Sequence, residues 1–317
     1  MSYFLPLPGA PVPSFTGSTL LLPQPSLASL AQLAADLLVH NYASELRLVG
    51  YLRLEDFVPA VGARDGLPGE AAQDGLAFGV EVFHSPSLRL TVVLPRSPVI
   101  RARRLHHLLS LQRWVDVSGF AAVVVTAGVD AALRGDEGLR SLTPFRHFAL
   151  PTSSPSSPSP LLSRLSSMIP PYVPSPSPSS PSSAAPSTGA PRIPLFPHGG
   201  LTRKVLEAFS LSAPSASEGK GEKEVEVAAL TVYTSEGDAR DAALGLADAL
   251  VAVLALPPPG AHSGEGEVEK RVADLELSAA GATGGEGRKW EWKTPRSWET
   301  GLMGSELGRE AGRDMFG

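Results

Sequence analysis

The chain has 317 residues, 43% of them hydrophobic, a formal net charge of −5 and no cysteine. That supplies the core of one large domain or two ordinary ones, and the missing cysteines exclude a disulfide framework, a thiolate nucleophile and a Cys-ligated zinc site while fitting the reducing cytosol or nucleus. An acidic balance gives nucleic acid no global attraction, the N-terminal stretch lacks the basic start of a signal peptide, and the longest apolar run, 242–256, is broken by Asp248 and falls short of the roughly 20 residues of a membrane span.

In chain order, the apolar run Ser18 to Pro23 predicts a strand. Ser26 is placed to cap a helix whose Leu27, Leu30, Ala31, Ala34, Leu37 and Leu38 recur at helical spacing. A second strand is predicted over Leu46 to Leu52, where Val49 and Tyr51 suit a pleated surface, so the opening unit reads β-α-β with a parallel pair. Phe57 to Gly75, rich in glycine, proline and acids, reads as a loop. Leu76 to His84 and Leu88 to Leu94 flank a Ser-Pro-Ser turn and read as a hairpin. Ile100 to Ser118 places Leu105, Leu108, Leu111 and Val115 on one helix face. Arg96, Arg101, Arg103, Arg104 and Arg113 form a local basic cluster, read as a solvated face. A buried strand over Ala121 to Thr126 and a helix-like stretch, Val129 to Arg140, lead to Thr143-Pro144-Phe145-Arg146-His147-Phe148, where proline stops a helix.

Between Pro151 and Pro191 stand twelve prolines and fifteen serines in 41 residues. Such a composition cannot bury enough apolar surface to offset chain ordering, so 151–191 reads as a disordered insertion, its more apolar middle, Leu161 to Ile169, reading as a solvated loop in preference to a transient helix or partner-docking segment. Order resumes at His198-Gly199-Gly200-Leu201-Thr202, with a helix through Phe209, a charged break from Ser215 to Glu224, a strand over Val225 to Tyr233 and a helix, Ala239 to Leu256, capped by Asp238. Because β and α elements lie on both sides of the insertion, residues 1–150 and 192–256 are expected to build one α/β domain. Its predicted form is a three-layer sandwich with a mostly parallel central sheet and helices on both faces. Residues 257–287 read as a flexible polar loop, and 288–317 as a docked segment anchored by Trp290, Trp292 and Trp298 followed by a mobile tail.

The residues that could carry chemistry do not converge. Lys220 in Glu218-Gly219-Lys220-Gly221 lacks the following Ser or Thr and the upstream glycine of a phosphate loop. The run Gly281 to Gly287 mimics a dinucleotide fingerprint without the strand and helix that should flank it. His106 and His107 are neighbours and point about 100° apart on a helix, and His147 and His198 read as structural histidines. Ser235-Glu236-Gly237-Asp238 lies where a strand ends and a helix begins, the position of ligand sites in open α/β sheets. Two acids there would repel phosphate, however, and a tight turn with an N-cap accounts for all four residues. The expectation is a protein that binds rather than reacts, with no catalytic residue, cofactor or metal.

Several segments in one order carry a resemblance: Thr19-Leu20-Leu21-Leu22-Pro23 with Gln32-Leu33-Ala34-Ala35-Asp36-Leu37-Leu38, then Val49-Gly50-Tyr51, Thr143-Pro144-Phe145-Arg146, Gly199-Gly200-Leu201-Thr202, Ser235-Glu236-Gly237-Asp238, and Trp292-Lys293-Thr294-Pro295-Arg296-Ser297-Trp298. Together they make the chain resemble the proteasome assembly chaperone 2 family. It departs from the family in its long insertions and in carrying Ala28-Ser29 where glycine and asparagine are common.

The resemblance implies an ATP-independent chaperone that pairs with proteasome assembly chaperone 1, binds α subunits of the proteasome core particle, promotes α-ring formation and blocks premature association. It also implies a docking role for the C-terminal hydrophobic-tyrosine-any tail, here Met315-Phe316-Gly317, whose carboxylate would enter a pocket between α subunits. Phenylalanine lacks the tyrosine hydroxyl and so one hydrogen bond, worth about 0.5 to 1.5 kcal/mol. Two other classes compete on sequence alone: a small-molecule enzyme of phosphorylase-like α/β fold using the Ser235 to Asp238 turn, and a scaffold whose Pro/Ser tract recruits proline-binding domains.

Overall fold

A computed structural model describes residues 2–69, 75–135, 139, 141, 143–152, 159–174, 193–211, 225–259 and 290–300. Its strands are β1 (Phe4–Pro6), β2 (Thr19–Pro23), β3 (Arg47–Leu52), β4 (Val61–Ala63), β5 (Leu76–Phe78), β6 (Val80–Ser85), β7 (Leu90–Pro95), β8 (Ala122–Asp130), β9 (Phe145–Ala149) and β10 (Glu226–Thr234). Its helices are α1 (Leu30–Asn41), α2 (Arg104–Ser118), α3 (Pro160–Met168), α4 (Thr202–Leu211), α5 (Arg240–Leu254) and α6 (Arg296–Thr300).

Eight strands form one sheet in the order β1-β3-β6-β7-β2-β8-β10-β9. Its centre, β7-β2-β8-β10, is parallel, and the antiparallel pairings lie toward the two edges. The central strands are nearly continuous apolar runs because both faces are covered. In β8, Ala122 and Val124 enter one core while Val123, Val125 and Val129 enter the other. In β10, Ala228, Leu230 and Val232 face the first core, and Val227, Ala229 and Tyr233 the second. Helices α1, α3 and α5 and Trp292 and Trp298 cover the first face, while α2 and α4 cover the second. The chain is therefore a three-layer α/β sandwich, and strands from both sides of 151–191 share its sheet.

The structure revises several local expectations. β2 and β3 run in the same direction but are not paired, because the hairpin β6-β7 inserts between them. Ser26 does not cap a helix: its Oγ accepts from the Gly128 amide at 2.9 Å, and the chain turns through Ala28 and Ser29, both left-handed (φ 55° and 52°), before α1 begins at Leu30. Within 57–75, Val61–Ala63 pairs antiparallel with Leu76–Phe78. Val129 and Asp130 end β8 instead of opening a helix. On α2 the buried residues are His107, Leu108, Leu111, Trp114 and Val115, and Leu105 faces outward.

The largest difference falls in the Pro/Ser tract. Residues 160–168 form α3, with Ser159 capping the Leu162 amide and Pro160 in the first turn, as helix starts favour. Leu161 and Leu165 are buried in the first core, which stabilises the segment by roughly 1.5 to 3 kcal/mol per leucine. Pro170 to Tyr172 then follow the β9 edge: the His147 amide donates to Pro170 O and the Tyr172 amide to His147 O. A sheet edge otherwise open to pairing is covered. Composition hid this because two leucines at i, i+4 suffice to dock one short helix. Residues 153–158 and 175–192, like the Ser215 to Glu224 break and residues 260–289, lie outside the described residues.

Candidate interaction site at the carboxyl edge of the sheet

β2, β8 and β10 end side by side, with Pro23 opposite Thr126 and Asp130 opposite Thr234. Sequence-singled motifs gather beyond these ends. The Gln24 amide donates to Thr126 O at 2.8 Å, and Leu27 and Asp130 donate to His198 O and Pro197 O, each at 3.1 Å. His198 Nδ1 lies 3.2 Å from Asp130 Oδ2. Gly199 and Gly200 form the turn into α4, where Thr202 Oγ1 donates to Gly199 O at 2.6 Å. Gly200 has φ 64°, and a Cβ there would overlap the carbonyl oxygen of Pro25. Only glycine combines that dihedral with so close an approach.

Pro144-Phe145-Arg146 enters the same edge from β9. Pro144 O accepts from the Tyr233 amide at 3.0 Å, and Phe145 is buried opposite Val232. The Arg146 guanidinium donates to Thr143 O and Phe145 O, both at 2.6 Å, and stands 5.4 Å from the centre of the Tyr233 ring. Arg134 lies 5.5 Å from the same ring, and Tyr172 stacks on it at 6.1 Å. Such cation–π contacts are worth about 0.5 to 2 kcal/mol depending on desolvation. Burial, with Arg134 nearby, pulls the Arg146 pKa below its ordinary value, opposed by Tyr233.

At the end of β10, Glu236, Gly237 and Asp238 are exposed. Gly237 has φ 123°, a backbone conformation other residues rarely adopt. Asp238 Oδ1 accepts from the Arg240 amide at 3.0 Å, and its carboxylate pairs with the Arg240 guanidinium, whose hydrogen bonds hold the Asp238 pKa low. Arg240 Nη1 also donates to Trp298 O at 3.1 Å. The tryptophan segment is tied down further by Trp292 Nε1 to Asp248 (2.7 Å) and by the Asn41 amide to Lys293 O (2.8 Å).

The structure thus brings Pro144, Phe145, Arg146, Gly199, Gly200, Glu236, Gly237 and Asp238 to one edge. Met315, Phe316 and Gly317, like Gly281 to Gly287, lie outside the described residues. Arg134, Tyr172 and Tyr233 escaped sequence reading because their meeting depends on the route of the Pro/Ser tract. Arg146, Asp238 and His198 face backbone carbonyls or an opposite charge, an arrangement suited to holding loops in a fixed surface, whereas Arg134 stands over the Tyr233 ring with its buried Nε lacking a hydrogen-bond partner. Among the described residues no cluster of His, Asp and Glu could hold a metal ion, and no helix is long and apolar enough to cross a membrane.

No protein-family model matches the chain. Proteasome assembly chaperone 2 of Bos taurus is 30% identical over 305 residues, covering 94% of this chain and 96% of that protein. The chain belongs to the proteasome assembly chaperone 2 family. The Mus musculus member is 34% identical over a shorter stretch of 143 residues, 45% of this chain and 53% of that protein. Among solved structures, the monoclinic form of Pyrococcus furiosus PbaA, described as an archaeal homolog of proteasome-assembly chaperone, matches 96% of this chain and 94% of its own with a TM-score of 0.50 at 12% identity. That likeness shows the proteasome assembly chaperone fold and nothing of activity.

Proposed function

We propose that this protein is a non-catalytic proteasome assembly chaperone of the cytosol or nucleus. In this reading it pairs with proteasome assembly chaperone 1, binds α subunits of the core particle, promotes closure of the α-ring and keeps premature partners from its face. The observation that carries the reading is the identity of 30% sustained over 94% of the chain with a protein named for this role. The carboxyl edge supports it, because loops fixed by backbone hydrogen bonds suit a recognition surface.

The tail Met315-Phe316-Gly317 is the proposed ring anchor. The Phe316 ring offers a flat apolar face to a groove. Reconstitution with proteasome assembly chaperone 1 and purified α subunits tests both parts. The full chain should accelerate α-ring formation. Removing residues 315–317 should weaken ring binding and leave the pairing with the second chaperone intact. No acceleration by the full chain would reject the chaperone reading, and unchanged ring binding by the shortened chain would reject the anchor.

A further inference from the structure

Helix α3 is tied down at its start by a contact that one chemical change would reverse. Ser159, half-buried, precedes Pro160 and stands in extended backbone (φ −62°, ψ 163°) as the N-cap of the helix. Its Oγ accepts from the Leu162 amide at 3.2 Å and donates to the Glu226 carboxylate at the start of β10. Among the described residues that hydroxyl is the hydrogen-bond donor to the Glu226 side chain, and no cation pairs with it. The other ties are few. Leu161, Leu165 and Ile169 are buried in the first core, Arg164 Nε donates to Val253 O at 2.8 Å, and Pro170 to Tyr172 run along β9. A helix of nine residues is marginal in water, so α3 persists only while these contacts hold it to α5 and the sheet.

Ser159-Pro160 is one of six Ser-Pro dipeptides between Pro151 and Pro191, the pair that proline-directed protein kinases accept. It is the one among the six whose serine lies within the described residues. The geometry points to Ser159 as a phosphorylation site whose modification releases α3 from the sheet. In the reaction the γ-phosphoryl group of a nucleoside triphosphate passes to Ser159 Oγ. The new P–O bond forms as the bond to the diphosphate breaks, the diphosphate leaves, and the hydroxyl proton goes to the aspartate base of the kinase. The kinase takes the serine from the minor population in which the short helix has opened, since the docked hydroxyl faces Glu226.

Charge decides which way the modified chain moves. The phosphate carries about −1.5 to −2 and can still cap the Leu162 amide, but the helix N-terminus offers only about half a positive charge. Against the phosphate stands the full negative charge of Glu226, stripped of its proton donor and in contact with it at a half-buried site where salt screens weakly. Repulsion outweighs the cap. Release uncovers the apolar surface that Leu161 and Leu165 fill and the β9 edge that Pro170 to Tyr172 cover, leaving that edge open to strand pairing.

The test treats the full chain with a proline-directed kinase and ATP, maps phosphoserines by mass spectrometry and follows amide hydrogen exchange over 162–168, comparing each variant with itself before and after treatment. Ser159 should take phosphate, and exchange over α3 should quicken about tenfold or more. Glu226→Gln, which keeps a hydrogen-bonding group without the charge, should take phosphate at Ser159 and keep its protection. Ser159→Ala, still open to modification at the other Ser-Pro pairs, should show no change. Leu165→Ala should be phosphorylated at Ser159 faster, because its helix opens more often. Ser159 left unmodified in both the unaltered chain and Leu165→Ala overturns the site. Phosphorylated Ser159 with unchanged exchange overturns the release, and equal loosening in Glu226→Gln overturns the role of the carboxylate.

Discussion

Ala28 and Ser29 sit in left-handed backbone (φ 55° and 52°) where the chain turns from β2 into α1. For residues with a Cβ that conformation costs roughly 1 to 2 kcal/mol each, whereas glycine adopts it freely and asparagine more readily than most. Glycine at 28 and asparagine at 29 would relieve that strain, and this chain carries the strained alternative. Ala28→Gly/Ser29→Asn should raise stability by about 1 kcal/mol in urea unfolding with an unchanged slope, allowing for the extra freedom glycine gives the unfolded chain. A destabilised double variant would show that the turn is not held in this conformation.

Titration makes a second residue-scale statement. Burial first, then its neighbour His106, lowers the His107 pKa from the ordinary 6.5 to about 4, against the pull of Asp56. Below pH 6.5 the unfolded chain takes the proton and the folded one does not. Stability from this residue is complete above that value and drains away as pH falls toward about 4. Between pH 7 and pH 5 it should cost on the order of 2 kcal/mol. His84, lowered in the same direction by burial, adds to the fall. His107→Gln should show a shallower loss of stability over that range, and an identical loss would place the titrating group elsewhere. The adjacent histidines were visible in the sequence and so was their divergence on a helix. Their partners Asp56 and Tyr3 were not, because residues 50 and 104 positions away meet only in the folded chain.

At the level of elements, periodicity located what it should: the β6-β7 hairpin, α2, β8, β10 and α5 all follow from alternation or helical spacing, although the helix begins one residue later than expected, with Ala239 in place of Asp238 at its N-cap and Asp238 accepting from the Arg240 amide. It failed where tertiary contact overrides composition. Helix α3 is the clearest case, since the proline and serine background outweighed the apolar stretch from Leu161 to Ile169 that forms it. Leu165→Ala should cost about 2 to 5 kcal/mol by leaving a cavity between α3 and α5. A loss under 0.5 kcal/mol, as for an exposed loop residue, would contradict the docked helix. The short pair β4-β5 was hidden for a related reason, being too brief for a pattern of period two to show against its glycines.

For the molecule as a whole, three layers and a parallel centre were readable because long apolar strands alternate with amphipathic helices. Strand order was not. Nothing local states that β6 and β7 insert between β2 and β3, which depends on how the hairpin and the crossovers pack. The motifs that resemble the family are dispersed along the chain, and the fold assembles three of them at one edge of the sheet. That concentration gives the carboxyl edge of the sheet a surface built from three separate stretches of the chain. Affinity capture of the full chain from cells, read by mass spectrometry, tests the assembly role most directly. Capture of proteasome assembly chaperone 1 together with proteasome α subunits lacking mature β subunits is the expected result; capture of unrelated proteins alone would contradict it.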